Sequence, residues 1–152
     1  FQVREETLRM AKGDTGFPVP NLRYRLLNGV PVHLFDFEGP YLINRWATWC
    51  PPCVFEIPHL NTIHEDYGDR LTVIGVTDES TETVDDFINN RQPIDFQVLR
   101  QSGPPPAPYR SMNSLPFTFM VDASGELRKV VHGARTRDQW VKLIEEHLLS
   151  PQ

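Results

Sequence analysis

The sequence predicts an α/β fold in which helices flank a central mixed β-sheet. Strand-like and helix-like hydrophobic patterns alternate along most of its 152 residues, and a hairpin pattern followed by a helix closes the chain. Apolar residues make up 39% of the chain and charged residues 23%, which permits a packed core. The length suits one domain. We therefore expect a single domain over residues 1–152, with an N-terminal extension over 1–17 and the core over 18–149.

The first half of the core is predicted to contain a hairpin, a buried strand and a long helix. The hairpin strands are Leu22–Leu27 and Val32–Phe35, because an Asn-Gly dipeptide typical of tight turns lies between them. Tyr41–Ala47 is the predicted buried strand. Apolar residues then recur at helical spacing, which predicts a helix over Cys50–Tyr67.

The next part of the chain adds a central strand, a short helix and a short strand. Leu71–Val76 is a continuous apolar run, as expected for a parallel strand that is covered on both faces. Thr83 with Asp86 is the predicted cap of a helix that ends near Asn90. Phe96–Leu99 is a predicted short strand.

The last third of the chain is predicted to contain a loop, a hairpin and a final helix. Ser102–Pro108 has four prolines in seven residues, which predicts a loop. Turn residues separate Phe117–Val121 from Leu127–Val131, as in an antiparallel hairpin. Thr136 with a glutamine three residues later is a capping-box pattern, which predicts a helix through Leu149.

Charge and hydropathy argue against several classes of protein. Asp and Glu number 20 against 15 for Lys and Arg, a formal charge of −5, whereas nucleic-acid-binding surfaces need clustered positive charge. No apolar run approaches the roughly 20 residues that span a bilayer. No signal-sequence pattern is present, and the chain begins at Phe1 rather than Met. We expect any secretory signal or membrane anchor to lie outside these residues.

The two cysteines, Cys50 and Cys53, form a Cys-Pro-Pro-Cys motif at the start of a predicted helix. Proline is tolerated in a first helical turn, where N–H groups lack partners within the helix. The remaining N–H groups and the helix dipole favour the thiolate of Cys50, the reactive form of a cysteine. Cys53 lies one turn further on, where it can attack a mixed disulfide formed at Cys50. The spacing predicts a redox-active dithiol with an exposed nucleophile and a nearby resolving thiol.

Two other uses of this motif are weighed against the dithiol. A zinc site needs further ligands, but His59 and His64 follow Cys53 by six and eleven residues. These separations are about 9 Å and 16 Å along a helix, too far for one tetrahedral site. An inert structural disulfide is the other alternative, and the redox-active dithiol is the favoured interpretation.

The segment from Asn44 to Cys53, Asn-Arg-Trp-Ala-Thr-Trp-Cys-Pro-Pro-Cys, resembles the active-site segment of the thioredoxin superfamily. It is most similar to the TlpA/ResA-like extracytoplasmic branch, whose members commonly read Asn-Phe-Trp-Ala-Thr-Trp-Cys-x-x-Cys. Gly29–Leu34 is similar to that branch's hairpin, and Leu115–Asp122 is similar to its cis-proline segment. The resemblance covers roughly residues 18–149. It implies a thioredoxin fold with an N-terminal β-hairpin extension.

The resemblance also implies a role for each residue of a site. Cys50 would be the attacking thiol, Cys53 the resolving thiol and Glu56 the third catalytic residue. Pro116 would be the cis-proline beside the sulfurs, and Leu115 would pair with an extended substrate through its main chain. The substrate-binding residues expected on this basis are Trp49, Pro51, Leu115 and Pro116.

Glu56 has two interpretations at this point. From the residues alone, a carboxylate three residues after Cys53 is most simply a solvent-exposed side chain. The family's glutamate near the dithiol implies instead that Glu56 takes the proton of Cys53, above all where burial raises its pKa. Asn44 stands where cytoplasmic thioredoxins have a buried aspartate, and an amide cannot accept that proton.

Three features depart from the family pattern. Arg45 replaces Phe, which puts a charge in a strand expected to be buried, so we expect it to reach an edge or pair with an acid. Phe117 replaces the commoner Thr after the cis-proline and is expected to add aromatic surface near the substrate groove. Pro104–Pro108 forms either one wall of a partner site or a rigid spacer, and both interpretations stay open.

Together these features predict a monomeric thiol–disulfide oxidoreductase that acts outside the cytoplasm, in the periplasm or anchored to a membrane. The resemblance implies that it reduces disulfides in protein partners, with apocytochrome c as one candidate, and that a membrane or periplasmic donor returns its electrons. We expect no cofactor beyond the redox-active Cys50–Cys53 disulfide, no bound metal and no nucleic-acid partner.

Two further functions are kept as alternatives. A copper-delivery protein would use both cysteines and His132, although such proteins usually separate their cysteines by three residues. A non-catalytic binding module that has kept the motif is the other. A peroxiredoxin is excluded, because Asn44 and Ala47 stand where its motif places Pro and Thr.

Overall fold

The computed structural model describes residues 15–16, 18–105 and 114–149. Within these ranges the chain forms a seven-stranded sheet, three α-helices and a short 3-10 helix over Leu34–Asp36. The strands are β1 (Arg23–Arg25), β2 (Pro31–His33), β3 (Tyr41–Arg45), β4 (Thr72–Thr77), β5 (Gln97–Gln101), β6 (Phe117–Val121) and β7 (Leu127–His132). The helices are α1 (Pro51–Tyr67), α2 (Thr81–Asn90) and α3 (Arg137–His147).

The sheet is mixed, with the strand order β2-β1-β5-β4-β3-β6-β7. Strand β3 pairs in parallel with β4 and antiparallel with β6. Strands β1 and β2 form an antiparallel hairpin that extends the sheet beyond β5. The predicted mixed sheet and hairpin extension are confirmed. Because β3 and β4 are parallel, the loops that follow them leave the same edge of the sheet.

The apolar core consists of two clusters that share the strands. The first contains buried residues from all three helices together with strand residues such as Leu42 and Val73. The second contains the next residues along the same strands, Ile43 and Ile74. Successive side chains of a strand point to opposite faces, so the two clusters lie on opposite sides of the sheet. Both cysteines belong to the first cluster.

The helix caps match the sequence predictions in one place and differ in another. Thr136 and Gln139 form the predicted capping box of α3, although that helix ends at His147, two residues early. The prediction that Thr83 caps α2 is wrong. Ser80 is the cap, because its backbone is extended and its hydroxyl oxygen accepts the Thr83 N–H at 3.2 Å.

Several predictions fall on residues 1–14, 17, 106–113 and 150–152, which lie outside the described ranges. They include most of the N-terminal extension and part of the Pro104–Pro108 loop. Pro104 and Pro105 are described and belong to neither a helix nor a strand. Among the helices of the described ranges, none has the length and apolar character to cross a bilayer. The domain boundaries stay a prediction.

Candidate active site

Cys50 and Cys53 are joined by a disulfide bond at the start of α1. Cys50 is the N-cap residue of the helix, and Pro51 and Pro52 form the beginning of its first turn. The N–H of Cys53 donates to the Cys50 sulfur across 3.3 Å. The motif therefore stands where sequence reasoning placed it, with a helix N–H directed at the first sulfur.

The two cysteines are more buried than the sequence suggested. Cys50 is only 3% exposed and Cys53 1%, so the prediction of an exposed Cys50 is wrong for this disulfide form. Both side chains pack in the apolar cluster that covers the helical face of the sheet, and Leu115 packs against that cluster. By contrast, Trp49 is 71% exposed.

The segment before β6 contains the expected cis-proline. The peptide bond between Leu115 and Pro116 is cis. Pro116 is buried and Leu115 is half-buried. Proline has no N–H, and the Pro116 carbonyl accepts the Gly133 N–H at 2.8 Å. The main-chain carbonyl of Pro116 is thus already engaged within the protein.

Glu56 lies one helical turn after Cys53 and is only 1% exposed. One carboxylate oxygen accepts from the Asn44 side-chain amide at 2.9 Å. The other accepts from the Arg135 main-chain N–H at 2.8 Å and from the Trp140 indole N–H at 3.1 Å. Burial raises the pKa of Glu56 to about 7, although these three donors favour the charged form and partly offset the effect of burial. The carboxyl group is poised to gain or lose a proton near neutral pH.

Asn44 holds the position of Glu56 from β3. Its buried amide group donates both to Glu56 and, at 2.9 Å, to the Thr118 hydroxyl of β6. Because Asn44 lies in β3, Glu56 in α1 and Thr118 in β6, this amide joins α1 to two neighbouring strands of the sheet. An asparagine at this position therefore orients the carboxylate.

Sequence reasoning missed Trp140 and Arg135 as partners of Glu56. Trp140 reads as an ordinary core position of α3, because Ile144 follows it at helical spacing. Arg135 contributes through its main-chain N–H, and no side-chain pattern signals such a contact. The only available signal was the capping box at Thr136, which placed the start of α3 beside these residues.

Two departures from the family pattern are resolved by the structure. Arg45 pairs with Asp78 across 2.7 Å and donates to the Gln101 side chain at 2.9 Å, so this arginine pairs with an acid. Phe117 is 2% exposed and packs edge-to-face on Phe119, with ring centroids 5.4 Å apart. The prediction that Phe117 adds aromatic surface to a substrate groove is wrong, because β6 directs it into the apolar cluster of the opposite face.

The three candidate histidine ligands, His59, His64 and His132, lie in different environments. The Nδ1 atom of His59 accepts the Arg137 main-chain N–H at 3.0 Å. His64 borders a groove of about 540 Å³ that contains neither cysteine. His132 is exposed at the end of β7. In the ranges that the structure describes, no three His, Cys, Asp or Glu residues form a group able to hold a metal ion.

A family model described as the AhpC/TSA family matches residues 15–130 of the chain. Among curated proteins, the thiol-disulfide oxidoreductase ResA of Bacillus thuringiensis subsp. konkukian is 29% identical over 140 residues, covering 90% of this chain and 78% of that protein. ResA of Oceanobacillus iheyensis is 29% identical over 110 residues, covering 71% of this chain and 57% of that protein. The thioredoxin-like protein YneN of Bacillus subtilis is 29% identical over 128 residues, covering 82% and 75%.

Solved structures share the fold. A Chlorobium tepidum protein described as thiol:disulfide interchange protein DsbE superposes with a TM-score of 0.74 at 25% identity, covering 88% of this chain and 95% of that one. A thio-disulfide isomerase from Thermus thermophilus superposes with a TM-score of 0.66 at 24% identity, covering 85% and 93%. The predicted thioredoxin fold is confirmed.

Proposed function

This chain belongs to the AhpC/TSA family, and we propose that it is a thiol–disulfide oxidoreductase that reduces disulfide bonds of partner proteins outside the cytoplasm. The observation that carries the proposal is the Cys50–Cys53 disulfide at the start of α1, one turn before a buried carboxyl group. The names of the ResA relatives support the same reaction class. The two cysteines carry both electrons, so the reaction needs no other cofactor.

The reaction begins from the dithiol form. The Cys50 thiolate attacks one sulfur of the partner's disulfide, the partner's S–S bond breaks, and one partner thiolate leaves. The result is a mixed disulfide between Cys50 and the partner. The Cys53 N–H, which is directed at the Cys50 sulfur, stabilises the attacking thiolate.

The second step releases the reduced partner. Cys53 loses its proton to the Glu56 carboxylate and attacks the Cys50 sulfur, so the mixed disulfide breaks and the second partner thiolate leaves. The Cys50–Cys53 disulfide has then formed, and two electrons have passed to the partner. The pKa of Glu56, raised to about 7 by burial, suits this transfer because it lies closer to that of a thiol than an ordinary carboxyl group does.

Partner binding is proposed to use the surface around the disulfide. Exposed Trp49 and Pro51 flank the first cysteine, and the half-buried Leu115 precedes the cis-proline Pro116. An extended segment of the partner would pair with the main chain of Leu115, which brings its cysteine to Cys50. Partners are then proteins with accessible disulfides, and apocytochrome c is one candidate.

The proposal is tested by disulfide reduction and by trapping. The wild-type protein, supplied with dithiothreitol, should speed the reduction of insulin, and Cys50→Ser should abolish this activity because the attacking thiolate is lost. In the native host, Cys53→Ala should accumulate mixed disulfides with extracytoplasmic proteins, because the resolving thiol is missing. The matched control is the Cys50→Ser, Cys53→Ala double variant, which can form none. A wild-type protein that exchanges with no disulfide, whatever the donor, would contradict the proposal.

A further inference from the structure

Glu79 reaches from the loop after β4 to the turn that carries the cysteines. Its carboxylate accepts from Thr48 twice, from the main-chain N–H at 2.8 Å and from the hydroxyl at 2.6 Å. The Thr77 hydroxyl donates to the same carboxylate at 3.0 Å. Thr48 lies two residues before Cys50. These hydrogen bonds therefore connect the turn that precedes the disulfide to the loop that follows β4.

The loop that carries Glu79 is itself held firmly. The neighbouring Asp78 is paired with Arg45 across 2.7 Å. The main-chain carbonyl of Glu79 accepts from Arg100 at 2.8 Å. The next residue, Ser80, caps α2. These contacts hold the main chain of the loop in place, and with it the position from which the Glu79 side chain extends.

The turn that receives these bonds contains the most exposed aromatic residue described. Trp46 continues the hydrogen bonding of the sheet, since its main-chain N–H donates to the Val76 carbonyl at 3.1 Å. The turn then closes with a Cys50 N–H bond to the Ala47 carbonyl at 3.3 Å. Between these points Thr48 is only 9% exposed, whereas Trp49 is 71% exposed. Thr48 is thus the buried anchor of a turn whose next residue, Trp49, is exposed.

We propose that Glu79 is a positioning residue which, through Thr48, fixes the turn that presents Trp49 and Cys50 to the partner's disulfide. This inference rests on the proposed function. Glu79 acts through hydrogen-bond geometry rather than through its charge. A glutamine can reproduce the geometry, because its carbonyl oxygen can accept the Thr48 N–H while its amide group donates to the Thr48 hydroxyl.

The test compares Glu79→Ala with Glu79→Gln. Glu79→Ala should lower kcat/KM for insulin reduction about tenfold, because small displacements of a reacting group are costly. It should also lower the equilibrium constant for disulfide formation by glutathione about threefold, because the two thiols are less well juxtaposed. Glu79→Gln should stay within about twofold of wild type in both measurements. Thr48→Val, which removes only the hydroxyl bond, should give a smaller loss of the same kind.

The control is Glu82→Ala, which removes an exposed carboxylate that borders Thr48 in the same shallow cleft. It should stay within about twofold of wild type, because exposed charges are screened by solvent. The inference is overturned if Glu79→Ala matches this control, or if Glu79→Gln loses as much as Glu79→Ala. If Glu79→Ala does not fold, wild-type behaviour of Thr48→Val overturns it. The glutathione equilibrium keeps this test separate from the proposed function, because it needs no protein substrate.

Discussion

Glu56 should make the stability of the protein depend on pH. Its pKa is about 7 in the folded chain against an ordinary value of 4.5, so the folded chain keeps a proton that the unfolded chain releases. The free energy of unfolding should therefore fall by about 3 kcal/mol as pH rises from about 4.5 to about 7, with no further effect of this group above that range.

Glu56→Gln should remove this slope. The glutamine can be accommodated, because the Asn44 amide can turn over and accept from it while Arg135 and Trp140 still donate to its oxygen. Urea unfolding at a series of pH values measures the slope. Glu65→Gln, an exposed change on the same helix, is the control and should leave the slope in place. An unchanged slope in Glu56→Gln would assign the pH dependence to other groups.

Trp140→Phe should raise the pKa of Glu56 further. The change keeps a large ring in the core but removes the indole N–H that donates to the carboxylate at 3.1 Å. A bond to a charged group of this kind is worth about one pKa unit or more. A carbon-13 titration of the Glu56 carboxyl group measures the change. Trp46→Phe is a matched control, because Trp46 is equally buried and does not donate to Glu56. A pKa that stays near 7 in Trp140→Phe contradicts this prediction.

At the residue scale, the sequence was sufficient to predict the cysteines of the candidate site. It was insufficient to predict the residues that surround Glu56. Cys50 and Cys53 are visible as a motif, and the resemblance assigns cis geometry to Pro116. The burial of Glu56 depends on contacts from distant parts of the chain, including Trp140, 84 residues away. Single-sequence periodicity describes one helix at a time and carries no information about such contacts.

The N-terminal cap of α3 should affect both stability and the active site. Thr136→Ala removes the hydroxyl that accepts the Gln139 N–H, which should lower the free energy of unfolding by about 1 kcal/mol. The change also loosens the residue before it, Arg135, whose N–H donates to Glu56. We therefore expect the pKa of Glu56 to rise in the same variant, measured again by carboxyl titration.

Ser80→Ala is the control for this element. It removes the equivalent cap of α2 and should cost a similar free energy, about 1 kcal/mol. Ser80 makes no hydrogen bond to Glu56 or Arg135 in the described structure, so the pKa of Glu56 should stay near 7. Equal shifts in both variants would show that general loosening, rather than the position of the Arg135 N–H, governs the carboxyl group.

At the element scale, sequence patterns located the strands and helices and misplaced some ends. The Asn-Gly hairpin and the Thr136 capping box were predicted correctly, because each has a local chemical signature. The cap of α2 was misplaced because Ser80 and Thr83 are both good cap residues, and only the backbone conformation distinguishes them. Phe35 was expected in a strand but lies in the 3-10 helix, where Asn21 accepts its N–H.

The direction of electron flow can be read from the stability of the whole molecule. A protein that reduces its partners should be more stable in the disulfide form than in the dithiol form, since strong oxidants are those whose dithiol form is the more stable. We expect the oxidised protein to unfold at higher urea than the reduced one, with a difference on the order of 1–3 kcal/mol. The Cys50→Ser, Cys53→Ser double variant should not respond to dithiothreitol. A more stable dithiol form would make this protein an oxidant instead.

At the scale of the whole molecule, the alternation of strands and helices was enough to predict the fold class. Strand order was not predictable from the residues alone, because hydrogen-bonded neighbours such as β3 and β6 are far apart along the chain. The family resemblance predicted the thioredoxin fold. Its two motifs, the cysteine motif after β3 and the cis-proline segment at β6, lie on neighbouring strands of the observed sheet. The face of the sheet on which each helix packs was also not predictable, and the buried apolar residues of all three helices join one cluster.

The position of α3 has a practical consequence for fragments of this protein. The family match ends at residue 130, so a shortened gene designed on that boundary would keep both cysteines and Pro116. It would lack Arg135 and Trp140, which supply two of the three donors that surround the Glu56 carboxylate. Such a fragment would retain every residue that resembles the family's motifs and lose the environment that sets the acidity of its buried carboxyl group.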